Sequence, residues 1–193
     1  MAILSFGLVI FLGLHSTRIF AEGGRAKAIA RLGEGLWKAI YSVFSIIGFF
    51  LIVQGFAQAR LNVVEVWTPP VWTRNITIIL MLFSAILMGA YIFKKSHFAV
   101  VTHHPMVLSV AIWAAGHLLS NGSGADLVLF GAFFVWAVAD LRSSYSRDRR
   151  NAMTYPMPNR GATFGAVLLG AAIWIAMLGD LHMRLFGELP MAM

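Results

Sequence analysis

The chain has 193 residues, of which 59% are hydrophobic and 12% charged, with a formal net charge of +7 and a mean hydropathy of +0.78. A water-soluble domain carries about 25% charged residues, so this composition excludes an ordinary soluble protein. The absence of cysteine excludes disulfides, thiolate metal ligands, iron–sulfur clusters and thiol nucleophiles.

A helix needs about 20 mostly apolar residues to cross a bilayer. Residues 1–17 are free of charge and form the first predicted span; 39–59 and 75–93 form the second and third. Residues 105–121, apolar around Trp113 and His117, form the fourth. Residues 127–139, "LVLFGAFFVWAVA" between Asp126 and Asp140, form the fifth, and 161–179 the sixth. Thirteen residues of helix reach only about 20 Å, so the fifth span must recruit its flanks or lie where neighbours shield its ends. The runs do not alternate polar and apolar residues as barrel strands do. The expectation is an all-α, polytopic membrane helix bundle with six transmembrane helices in one domain, residues 1–193, without linkers or repeats. Positive charge follows the first apolar run rather than preceding it, so this run reads as a retained helix and not a secretory signal.

With six spans the loops alternate sides. One side receives Arg18, Arg25, Lys27, Arg31, Lys38, Lys94, Lys95, Arg142, Arg147, Arg149, Arg150 and Arg160; the other receives Arg60, Arg74 and Arg184. The positive-inside rule then places both termini outside, in a multi-pass membrane protein. The high pI of about 10.4 becomes a topology signal and a contact for anionic membrane lipids. Nucleic acid, the ordinary partner of a basic soluble protein, is excluded.

Ionisable groups inside a span are costly and mark functional sites. His15 lies about 20 Å along the first helix, in its cytoplasmic half, and Arg18 follows one turn later on the same face. His104 opens the fourth helix directly before Pro105, a normal first-position proline. His117 lies thirteen residues further on, with Trp113 and Asn121 four residues to either side. The His104–His117 spacing leaves about 140° between their directions and about 20 Å along the axis, so they cannot share one ion. No histidine pair has the i, i+4 spacing of a helical zinc site, and the spans hold almost no carboxylates for a zinc or di-iron centre. What remains is an imidazole on one helix facing an imidazole on another, which suits axial ligation of a heme in an apolar slot. The competing reading is a hydrogen-bonded strut between helices. His97 and His103 read as solvated loop histidines, and His182, near Asp180 and Arg184, as an interfacial anchor. "GATFG" at 161–165 has small-residue spacing for close helix contact. Asn121 serves a neighbouring polar group or caps its helix.

"FLGLHSTR" in the first span, "HHPMVLSVAIWAAGHLLSNG" across the fourth, "RDRR" after the fifth and "LHMRLFGELP" at the end resemble the NnrU family of bacterial membrane proteins, essentially from end to end. Zeta-carotene isomerase belongs to the same superfamily and is similar in the His-Ser of the first span and the His-Pro…His block. The isomerase is a heme b protein, and its ligand histidines match His15 and His117. The NnrU name implies an association with nitrite and nitric oxide reduction. The isomerase carries a cysteine three residues before its second histidine, where this chain has Ala114, and histidines in its fifth span that are absent here. Heme binding therefore carries over better than isomerisation.

The implied site is heme b on His15 and His117, with Arg18 answering a propionate and His104 and Asn121 as further cofactor-binding residues. The two ligands stand at different depths, so a second arrangement is kept: His15 near His104, and His117 near another partner such as His182. A hydrophobic small molecule, carotenoid or quinone, is the expected ligand class. "HHP" before a membrane helix also resembles the Arg-His-Pro element of S-adenosylmethionine-dependent membrane methyltransferases. Those carry a carboxylate and arginine near the C-terminus on the same side, whereas Arg184 and Glu188 fall outside here. A non-enzymatic heme or nitric oxide sensor, or an assembly factor, is the third class.

Overall fold

The computed structural model describes residues 1–187 and is helical throughout. In chain order the helices are α1 (Ala2–His15), α2 (Thr17–Phe20), α3 (Glu22–Leu32), α4 (Glu34–Ala59), α5 (Trp72–Ile92), α6 (His97–Thr102), α7 (Pro105–Ser120), α8 (Gly124–Arg150), α9 (Arg160–Leu178) and α10 (Asp180–Phe186). Among the described residues there is no strand, only an isolated bridge between Glu65 and Ser123. Glu188 and Met193 lie outside the described residues.

Helix starts follow local chemistry. Ser96, Ser123 and Asn159 each accept a backbone N–H from three residues on, through their side-chain oxygens. Pro105 opens α7 where its missing N–H costs nothing. Four helices, α4, α5, α8 and α9, are long and apolar enough to cross a membrane. The other two expected spans, α1 and α7, are apolar but run only 14 and 16 residues, about 21 and 24 Å. The fifth span recruits its flanks: α8 runs 27 residues, from Asp126's turn to Arg150. Its last turns project beyond the apolar run.

Close helix crossings occur at glycines. A Cβ on Gly7, Gly48 or Gly55 would meet backbone of the facing helix in the α1–α4 pair. The α5–α9 crossing is equally tight: Gly89 faces the Ala166 carbonyl and Gly170 the Ile86 backbone. Small residues at such crossings let backbones approach where burial in lipid supplies no hydrophobic drive. Of the expected "GATFG" contacts, Gly165 abuts the Phe93 ring. Inside the α5–α7 pair the polar groups satisfy one another: the Thr77 hydroxyl donates to the Gly116 carbonyl at 2.8 Å, and Ser84 bonds Ser109.

Hydrogen bonds identify the two ends of the bundle. At one end the Arg147 guanidinium reaches the Arg18 carbonyl, His104 bonds Asp148, and the Asn159 amide bonds the Lys95 carbonyl. At the other, Val66 and Trp67 donate to the Gly122 carbonyl, and Arg60 donates to the Phe186 carbonyl. Twelve of the 15 lysines and arginines belong to loops and helix ends of the first, basic end.

Candidate functional site

A cavity of about 700 Å³ opens at the basic end, within the range of cofactor and ligand pockets. His15, Arg18 and His104, three of the residues singled out in the sequence, line it together. His117 and Asn121 do not. Four cationic side chains, Arg18, Arg25, Lys38 and Arg147, face it against the acids Glu34 and Asp140.

His15 is the last residue of α1. Its Nδ1 lies 2.7 Å from the Phe11 carbonyl oxygen. A carbonyl only accepts, so Nδ1 carries the proton and Nε2 keeps its lone pair. The ring stacks on Phe11 (centroids 4.3 Å apart) and meets Tyr41 and Trp136 edge-on. His117 repeats the arrangement: Nδ1 sits 2.9 Å from the Trp113 carbonyl, and the ring stacks on Phe130 at 4.5 Å. His104, the N-cap of α7, donates from Nε2 to Asp148 at 2.7 Å. A partner that takes the second ring N–H, carbonyl or carboxylate, is the arrangement that orients metal-ligating imidazoles. Among the described residues no group of three or more His, Cys, Asp or Glu side chains is placed to hold a metal ion. A heme needs only one or two axial side chains.

Between His15 and His117 runs a ladder of aromatic rings. Phe130, Phe133 and Trp136 stand at three-residue steps on α8. His117 stacks on Phe130, Trp113 meets both Phe130 and Phe133, Phe11 meets Phe133, and His15 meets Trp136. Phe130 and Trp136 are about 9 Å apart along the helix, so the two imidazoles contact α8 at different depths. His15 shares the cavity with His104, and His117 stands apart from it. Asn121 caps α7, its side chain donating to the His117 carbonyl at 2.8 Å.

The surroundings of His15 fit a polar, flat group. Two buried side-chain polar atoms among the described residues have no hydrogen-bond partner: Trp136 Nε1 and Ser45 Oγ. Trp136 meets the His15 ring, and Ser45 stands on α4 one turn from Tyr41, which also meets that ring. Native structures leave few such atoms. Together with the Nε2 lone pair and the cationic rim, they suit a macrocycle that brings an iron and carboxylates.

Several site residues escaped the sequence reading. The extended end of α8 brings Asp140, Ser143, Ser144, Arg147 and Asp148 to the site. Arg147, only 8% exposed, bonds Ser143, Ser144 and the Arg18 carbonyl and pairs with Asp140 at 3.7 Å. The hydropathy pattern ends at residue 139, so nothing in it points to them. His103, expected as a solvated loop residue, lines the cavity and stacks on Tyr155 with centroids 3.8 Å apart. Its φ of 58° is a rare conformation for a residue with a Cβ. His97 bonds the Thr163 hydroxyl instead of standing free. The Tyr155 hydroxyl donates to Asp148 at 2.5 Å, and burial together with that bond pushes its pKa up to about 12. His182 packs on Phe186 near Asp180 and Arg184, and burial followed by the charge of Arg60 holds its pKa down. Arg184, which a methyltransferase would need near His104, is at the opposite end.

A bundle of apolar helices, four of them long enough to cross a bilayer, with an imidazole-bearing cavity at its basic end, defines a helical membrane protein. The family model described as NnrU protein matches residues 3–190. The chain belongs to the NnrU family. No curated protein and no solved structure matches it.

Proposed function

We propose that this chain is a heme b protein of the bacterial cytoplasmic membrane, with α1 and α7 completing six spans, both termini outside and the cavity on the cytoplasmic side. The charge asymmetry supports the orientation. One observation carries the site: His15 lines a cofactor-sized cavity with cationic side chains around it, and its Nδ1 is tied to the Phe11 carbonyl, which leaves Nε2 as the nitrogen for a ligand.

His15 is the axial ligand in this reading, and Arg18 and Arg147 are the cations for the propionates, since guanidinium–carboxylate pairs are strong and directional. His104, oriented by Asp148, lies on the wall facing the group. When bound, heme b supplies one-electron redox chemistry and a site for small diatomic ligands, in keeping with the association that the family name implies. The chain's own residues orient the imidazole, neutralise the carboxylates and exclude water through the aromatic ladder.

The resemblance pairs His15 with His117. In this structure a chain of ring contacts through Phe11, Phe133 and Trp113 links the two imidazoles, so His15 would hold the group, and His117 would join it only if those rings gave way. Visible and electron paramagnetic resonance spectra of single variants separate the cases. His15→Ala loses the heme or its native spectrum. A six-coordinate, low-spin wild type that turns high-spin in His117→Ala makes His117 the second ligand; an unchanged His117→Ala spectrum leaves His15 as the protein's ligand from this pair. Native heme in His15→Ala refutes the reading. In Arg18→Gln, a changed heme retention or midpoint potential supports the propionate role, and an unchanged one leaves only an interfacial anchor.

A further inference from the structure

Backbone neighbours run α4–α1–α8–α7–α5–α9, with α4 also meeting α8, and α1, α4, α5, α7 and α8 all line the cavity. Among the described residues no Cα of α4 comes within 8 Å of one in α5, although only residues 60–71 join them. Packed helices have axes about 8–10 Å apart and bring some Cα atoms closer than that. Yet both helices line the cavity, α4 through Trp37 and Tyr41 and α5 through Tyr91. The two helices therefore are not packed against each other on this side. Phe44 and Ile47 on α4, and Ile79 and Phe83 on α5, are exposed, so both helices present apolar surface.

We propose that the gap between α4 and α5 is a mouth open to the bilayer, and that it admits a quinone, its carbonyl-bearing ring entering between the two helices and its apolar tail remaining in lipid. Three features select that class. Trp37, Tyr41 and Tyr91 offer flat faces for an aromatic-sized ring. The tyrosine hydroxyls and the Lys38 ammonium are donors for carbonyl oxygens. A long apolar tail remains in hydrocarbon when the ring enters from the bilayer side. A phospholipid matches the cationic rim but has no flat ring for the three aromatic lips. The inference deepens the heme reading, because a ring at the mouth would face the redox group inside; binding itself does not require the heme.

The test uses the full chain in lipid nanodiscs, heme-loaded and heme-free, titrated with decylubiquinone while tryptophan fluorescence is followed. Trp37 and Trp136 line the cavity and report on its occupant. Saturable quenching is expected, with the tailless benzoquinone ring binding at least about tenfold more weakly. Because the chain has no cysteine, a Tyr91→Cys variant accepts a bulky maleimide at one lip only. That label is expected to weaken decylubiquinone binding at least about tenfold while helicity and heme spectrum hold. The same label on Phe164→Cys, an exposed position of α9, changes nothing. No saturable quenching, equal binding of the tailless ring, or unaltered binding after labelling at position 91 overturns the proposal. Quinone binding without heme sinks only the heme reading, and heme without quinone binding sinks only this one.

Discussion

The α1–α4 crossing is where packing and site meet, and Gly48→Ala probes it directly. A Cβ at Gly48 would stand 2.9 Å from the Phe11 amide nitrogen and 3.1 Å from both Phe11 Cα and Ile10 Cγ2. Favourable carbon contacts lie at about 3.5–4 Å, and two of these atoms are backbone that cannot rotate away. The helices must therefore part by about half an ångström or more. Overpacking of this kind costs about 1–3 kcal/mol, against a gain of about 0.5–1 kcal/mol for replacing glycine by alanine inside a helix. The net expectation is a destabilisation of about 1–2 kcal/mol, a factor of about 5–30 in the folded ratio. Gly13, on α1 itself, has open space where a Cβ would stand, with nothing within 4 Å, so Gly13→Ala keeps only the favourable term and stabilises by about 0.5–1 kcal/mol. The two variants thus move in opposite directions. Reversible unfolding in mixed detergent micelles, followed by circular dichroism, measures both. Gly48→Ala also displaces Phe11, whose carbonyl holds His15, so heme retention should fall with stability. A Gly48→Ala protein as stable as Gly13→Ala would refute the packing argument.

Two further outcomes follow from the basic end. Arg147→Met strips the bonds to Ser143, Ser144 and the Arg18 carbonyl and leaves Asp140 unpaired; it should cost about 3 kcal/mol in the same unfolding assay, with Asp140→Leu in the same chain restoring more than half. Tyr155 should ionise near pH 12, read as the late component of the tyrosinate absorbance that disappears in Tyr155→Phe. Since the folded pKa is raised above the ordinary value near 10, its contribution to stability is complete below pH 10 and is lost as pH rises towards about 12. Ionisation of Tyr155 with ordinary tyrosines would show that its bond to Asp148 does not form.

Much of the architecture was legible because lipid imposes a simple rule: every long apolar run must be helical. The three longest runs became α4, α5 and α9, and the shortest, between Asp126 and Asp140, took in its flanks to form α8. Where α8 stops was not legible, because "LRSSYSRDRR" carries no apolar period once it leaves the membrane; its helicity rests on tertiary bonds such as Arg147 to Arg18 and Asp148 to His104. The imidazoles at 15 and 117 stood out as costly groups in apolar runs, and their different depths followed from their positions along α1 and α7; the rings of Phe11, Phe133 and Trp113 that link them join residues far apart in the chain, which periodicity does not encode. The packing of His103 was hidden for the same reason: its stacking on Tyr155 joins residues far apart in the chain. Asn121 was open between partner and cap, and the α7 terminus made it a cap.

The most direct measurement of the central claim is the heme content of the full chain purified from membranes, taken as a pyridine hemochrome with a reduced-minus-oxidised spectrum, alongside His15→Ala prepared in the same way. The account predicts b-type heme bound to the wild-type chain and lost or spectrally altered in His15→Ala at unchanged helicity. A colourless wild-type protein, or a His15→Ala protein with the wild-type spectrum, would contradict it.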